Sequence, residues 1–209
     1  MIFEDLKLAE FNDFYKVILG NFPSKEIKEY DYMKETFING DFKVLTLKED
    51  DEIKGILNST RIIHLGMMDG DYPYVVPLHF GYEFIDDVLH IFVHGHHEGK
   101  KFSLMQANPH VFIEIDGDDE ALVSGGDIPC KYSSVYSSVM GRGEAAYLEN
   151  IDEKVHGLQV LMKHQTGREF TFTDAMVNSV GVVQIKVVDY TAKRRRQLEQ
   201  DIIMPPLTK

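Results

Sequence analysis

Cysteine is almost missing from this chain of 209 residues, which carries only Cys130. No intrachain disulfide can form, and a reducing compartment is the fitting one. No apolar run reaches the roughly 18 residues of a membrane-spanning helix. Residues 1–23 lack a basic stretch followed by a long apolar one, so no signal peptide is expected and the expected location is the cytoplasm. Glycine and proline are sparse, at 16 and 7, which excludes collagen-like and low-complexity chains. Basic residues are outnumbered, 22 against 34 acidic, for a formal net charge of −12. Such a surface repels nucleic-acid phosphates and anionic lipid heads, so neither partner is expected. Internal repeats, a G-x-G-x-x-G or Walker loop and a G-x-S-x-G nucleophile motif are also absent.

What remains is a globular composition, 44% hydrophobic, long enough for one full domain with appendages. Residues 1–40 read as an N-terminal helical extension, with Phe11, Phe14, Tyr15 and Ile18 at helical spacing, and residues 41–209 as the main domain. A short helix is expected over 50–57. Strands are expected over 61–67 and 74–82, joined through Asp69-Gly70-Asp71, and again over 88–93. A helix over 99–107 stops at Asn108-Pro109, and strands follow over 111–115 and 134–148, with a loop between them. Gly141 and Gly143 suit a bulge or barrel corner. Asn150 and Glu153 make a capping box for a helix over 150–165, closed by Gly167, before a last strand over 180–188. At least six strands with few helices argue for an antiparallel β-barrel with peripheral helices.

Four segments carry chemistry. In His94-Gly95-His96-His97-Glu98-Gly99-Lys100-Lys101 a strand end meets a helix start. A helix N-terminus, two lysines in its first turn and flanking glycines suit a phosphate monoester; the alternative is a loop with solvated lysines. The three histidines are too close in sequence to converge easily on one ion, so no metal site is expected. Pro77 interrupts pairing in 73–82 and leaves a backbone edge that could hydrogen-bond a planar heterocycle, or an ordinary edge strand. Ser137 and Ser138 offer hydroxyls to both faces of one strand. The basic run Lys193-Arg194-Arg195-Arg196 reads as solvated or as a tail contact.

In order, LGMMDGDYPYVVPLHFGYE, IFVHGHHEGKK, ANPHVFIEID and YSSVMGRGEAAYLE resemble the pyridoxamine 5′-phosphate oxidase-like flavoproteins, and within them the nitroimidazole-resistance branch. The resemblance runs over about residues 33–193. It implies an FMN-binding split β-barrel, a homodimer, and two FMN sites between the subunits. By resemblance Val75, Val76, Pro77 and Leu78 face the isoalloxazine ring, His94 and Gly95 lie beside the phosphate, and Lys100 and Lys101 bind it. Ser137 and Ser138 fall at a polar cofactor contact, and Lys193 closes the site. Two departures stand out: the frequent Tyr-Arg-Ser-Val is here Tyr136-Ser137-Ser138-Val139, and Arg194 to Arg196 is not the substrate motif of enzymes that oxidise vitamin B6. The resemblance therefore implies an oxidoreductase that reduces a small organic molecule, such as a nitroaromatic. The alternatives are a flavin-binding module without turnover and a haem-handling split barrel.

Overall fold

The computed structural model describes residues 50–117, 121–195 and 197–205; the expected N-terminal extension lies outside them. The chain runs α1 (Asp50–Ser59), β1 (Ile62–Asp69), β2 (Tyr72–Ile85), β3 (Val88–Gly95), α2 (Lys100–Ala107), β4 (His110–Asp116), β5 (Ala121–Val123), β6 (Ser133–Tyr147), α3 (Ile151–Thr166), α4 (Asp174–Asn178) and β7 (Gly181–Arg195). Among the described residues no helix is long and apolar enough to cross a membrane.

Six strands close a ring in the order β4-β1-β2-β3-β7-β6, and β4 also pairs with β6. All ladders are antiparallel. The small β5 hangs on the start of β6. This is the expected mainly β split barrel with peripheral helices.

The ring is strongly staggered. Pro77, His64, Glu114, Met140 and Thr191 form one row across four ladders. Yet β3 meets β7 at the opposite end of β7, His94 against Val182 and Gly95 against Gly181. The sheet thus closes with an offset of about ten residues, as tilted strands in a narrow barrel require. Alternation along the strands fills the interior with Leu65, Phe80, Ile91, Ile113, Val139 and Ile185, all buried. A second cluster, Phe92, Leu158, Val177 and Val182, fills the space beneath α3.

Turn chemistry matches the expectations. Gly70 at φ 61° turns β1 into β2. Asp86 and Asp87, at φ 50° and 62°, make the two-residue turn from β2 to β3, where both central residues need positive φ. The Asn150 side chain accepts from the N–H groups of Asp152 and Glu153, at 2.8 and 3.2 Å, and Gly167 ends α3 at φ 71°. The bulge falls where the glycines pointed: between Arg142 and Gly143 the β6–β7 register skips Val188. A Cβ on Gly143 would stand 2.6 Å from Ile185.

Several strands outrun their expected ends, and the last does so most. β7 continues past residue 188 to Arg195, because Lys193, Arg194 and Arg195 find ladder partners in Ser138, Ser137 and Tyr136. Pairing overrides a composition that reads as a tail. Arg195 is also a tail contact, 3.1 Å from Asp201.

Two glycines give opposite expectations. A Cβ on Gly81 would stand 2.7 Å from the Val160 carbonyl carbon, where β2 crosses α3 on backbone that cannot step aside. Gly55 lies in α1 with nothing within 4 Å of such a Cβ. Gly81→Ala should therefore cost about 1–3 kcal/mol, whereas Gly55→Ala should gain about 0.5–1 kcal/mol. Urea unfolding of both variants checks the pair of signs.

Candidate functional site

The strand that resembles a ring-facing one is an edge. Within β2, residues 72–79 pair with β1 while pairing with β3 begins only at Phe80. Among the described residues, the other side of 72–79 carries no ladder. Pro77, opposite His64, sits where a missing N–H is tolerated. The alternation splits the four predicted residues. Val76 and Leu78 pack on the core, whereas Val75 and Pro77 point outward and are exposed. One ligand cannot rest on all four side chains; what they share is the open backbone edge.

β3 delivers His94 and Gly95 to the start of α2. Gly99 caps that helix at φ 143°, with no side-chain hydrogen bond to its first turn. Lys101 folds back over the strand end, so a Cβ on Gly95 would meet Lys101 Nζ at 2.7 Å. Gly95 is required for this close approach. The ammonium also lies 4.7 Å from the Phe102 ring centroid. Among the described residues no carboxylate pairs with Lys101.

Lys100 is placed differently. It is ion-paired with Asp69 of the β1–β2 turn and lies 5.0 Å from the Tyr74 ring centroid. The hydrogen bond it donates to the Asp69 carboxylate raises its pKa. The two lysines are therefore unequal, one held by a carboxylate and one available. Sequence spacing could not separate them, because Asp69 registers there only as a turn residue.

His94 is half-buried, and its Nδ1 is fully buried without a hydrogen-bond partner. Burial first, then the charges of His79 and Lys101, push its pKa below the ordinary histidine value, so the ring is neutral at pH 7. A buried ring nitrogen left unpaired is costly unless something completes it. His97, exposed like His96 on the loop crest, is nevertheless anchored. Its Nδ1 lies 3.0 Å from the Tyr147 hydroxyl and its Nε2 2.6 Å from the Asn178 carbonyl.

The remaining predicted residues are elsewhere. Ser137 is buried, facing the barrel interior with Val135 and Val139, and Ser138 faces the other way. Ser138 stands opposite half-buried Lys193. Along β7, at roughly 3.3 Å per residue, Lys193 is on the order of 35 Å from Val182, the partner of His94. One chain does not bring the two groups together.

A cavity of about 1030 Å³ lies on another side, between α1, β2 and α3. Much of its polar lining is already paired: Tyr82 with Asn58, Glu83 with His156, Lys163 with Glu169. The His94 corner has unmet hydrogen-bonding capacity and an available cation, which makes it the better candidate.

Residues 49–194 match the model of a family described as pyridoxamine 5′-phosphate oxidase. The chain belongs to this family. Among solved structures it is similar to one described as a candidate 5-nitroimidazole antibiotic resistance protein from Bacteroides thetaiotaomicron VPI-5482. The two are 32% identical over 70% of this chain and 84% of the other, with a TM-score of 0.60. The flavocytochrome Anf3 from Azotobacter vinelandii shares the fold at 16% identity, over 78% of this chain and 81% of the other, TM-score 0.59. So does a FAD and haem binding protein from Mycobacterium smegmatis, at 13% identity, over 78% and 88%, TM-score 0.60. No curated protein matches. In this oxidase family member the barrel and the motif order of the sequence coincide.

The neutral state of His94 predicts a pH effect. Its folded pKa lies below the unfolded value of about 6.5, so the unfolded state binds the extra proton first. Stability contributed by the neutral ring is lost as pH falls through that value. Burial lowers His90 and His164 in the same direction. Urea unfolding should show lower stability at pH 5.5 than at pH 7.5, and His94→Gln should make that loss smaller.

Proposed function

We propose that this protein binds FMN at the corner made by His94, Gly95 and Lys101 and uses it to reduce a small organic compound, a nitroaromatic among the candidates. The observation that carries the reading is the buried, unpartnered His94 Nδ1 beside an available ammonium at an uncapped helix start. These groups fit a phosphate monoester: Lys101 supplies the charge, the α2 N-terminus supplies N–H donors, and Gly95 leaves room. The open edge of β2 offers main-chain groups to a flat ring, Pro77 contributing only its carbonyl. Bound FMN would supply two-electron transfer, and the protein binding, orientation and electrostatics. The relative described by nitroimidazole resistance supports the substrate class.

The same reading makes the protein a homodimer. Ser138 and Lys193, too far from His94 in their own chain, would complete the site of a second copy. Val75, Phe112 and Val188 are 56%, 49% and 62% exposed. They line one apolar groove of about 720 Å³ on the outer face of the barrel, a surface suited to such a copy.

The first test is the absorption spectrum of the purified protein. Flavin bands support the reading, and a Soret band without them would overturn it in favour of haem. Oxidation of NAD(P)H dependent on a nitroaromatic separates an enzyme from a flavin store. Lys101→Ala should weaken FMN binding roughly ten- to a hundred-fold, the loss of one charge-assisted contact. Lys100→Ala should cost less, because Asp69 already holds that ammonium. Titration of the cofactor-free protein measures both, and equal effects would show that the lysines are not divided as described. Light scattering should find a dimer; a monomer that still binds stoichiometric FMN would contradict the shared site.

A further inference from the structure

A cluster of metal-ligating side chains stands apart from the His94 corner. His64 of β1 lies directly opposite Glu114 of β4 in the ladder. Asp116 follows two residues later on the same strand and so projects from the same face. His64 Nδ1 is 3.0 Å from Glu114 Oε2, and the Asp116 carboxyl stands beside that of Glu114. One donor atom from each of the three falls within 4.8 Å of the others. His64 and Glu114 are half-buried, and Asp116 is exposed.

Two features distinguish this group from ordinary surface acids. The first is charge. Among the described residues the charged groups acting on Glu114 are Asp116 and His64, with no lysine or arginine. Burial, then Asp116, raises the Glu114 pKa, and the bond to His64 opposes the rise. A cation between these three side chains would face one imidazole and two carboxyl groups.

The second feature is the support. β1 is paired on both sides, with β2 and β4, and β4 with β1 and β6. The donors therefore converge from a fixed ladder, without a loop having to order around the ion. One imidazole and two carboxylates form a mixed nitrogen–oxygen set, which favours a borderline transition metal over magnesium.

We propose that His64, Glu114 and Asp116 form a binding site for one divalent transition-metal ion of the zinc or manganese type, with its remaining positions open to water. The ion would tie β1 to β4 on the outer face of the barrel, one strand from Pro77, which flanks His64 on its other side. The proposal does not depend on flavin binding, and its test makes no use of activity.

Zn²⁺ and Mn²⁺ are titrated calorimetrically into chelator-treated full-length protein. One equivalent should bind. His64→Gln and Glu114→Gln should each weaken binding by more than about a hundred-fold, since losing a ligand costs more than the roughly 10–100-fold of an outer-shell partner. Cys130→Ser and His96→Ala should leave it unchanged. No binding at millimolar metal, or binding indifferent to the His64 and Glu114 substitutions, overturns the proposal. Co²⁺ added to the unmodified protein keeps it testable should a variant fail to fold. Visible d–d bands of a nitrogen–oxygen site are expected without a thiolate charge-transfer band. A thiolate band, or the spectrum of the hydrated ion alone, would refute the site.

Discussion

The ladder between β6 and β7 is the constraint on which the rest of the molecule depends. Both strands are fifteen residues long and pair along almost their full length. Each also serves a second partner: β6 pairs with β4, and β7 with β3. Such a long pair cannot stay straight and still close a six-stranded ring. The bend is made at the skipped Val188, beside Gly141 and Gly143, where side chains would collide with Tyr190 and Ile185. Twist accumulates at that bulge, and the stagger of the ring follows from it.

The stagger distributes the chemistry. Because β3 takes the first half of β7, the His94 corner forms at one end of the barrel, while Ser138 and Lys193 are carried to the other. Helix α2 then returns Lys101 across Gly95. Ser137 apart, the described inner face is lined by apolar side chains, and the other polar groups lie at strand ends and on the outer face, where His64 and Glu114 pair. Local geometry supplies the phosphate corner, whereas a site using both ends needs a second molecule.

Much of this was legible in the sequence. Alternation in 88–93 and 111–115, the Asn150 cap, the stop at Asn108-Pro109 and the paired glycines all signal structure locally, within a few residues. Those signals led to the correct fold class. β7 beyond residue 188 was illegible because its basic residues are strand only by virtue of partners in β6, some fifty residues earlier. The inequality of Lys100 and Lys101 was hidden for the same reason, since Asp69 approaches through tertiary structure. So was the meeting of His64 with Glu114, which depends on the β1–β4 register and leaves no local pattern. Residues 75–78 lie on one strand, yet the two-residue period divides their side chains between two faces.

The unpaired side of β2 has a consequence for solubility. A row of main-chain donors and acceptors over 72–79 without a ladder among the described residues is a template on which a stray strand from another molecule could add, the first step toward aggregation. Pro73 and Pro77 each remove one donor from the segment, and Asp69 and Asp71 place charge at its entrance. A backbone left open enough to accept a flat ligand is thus kept too irregular to accept another strand.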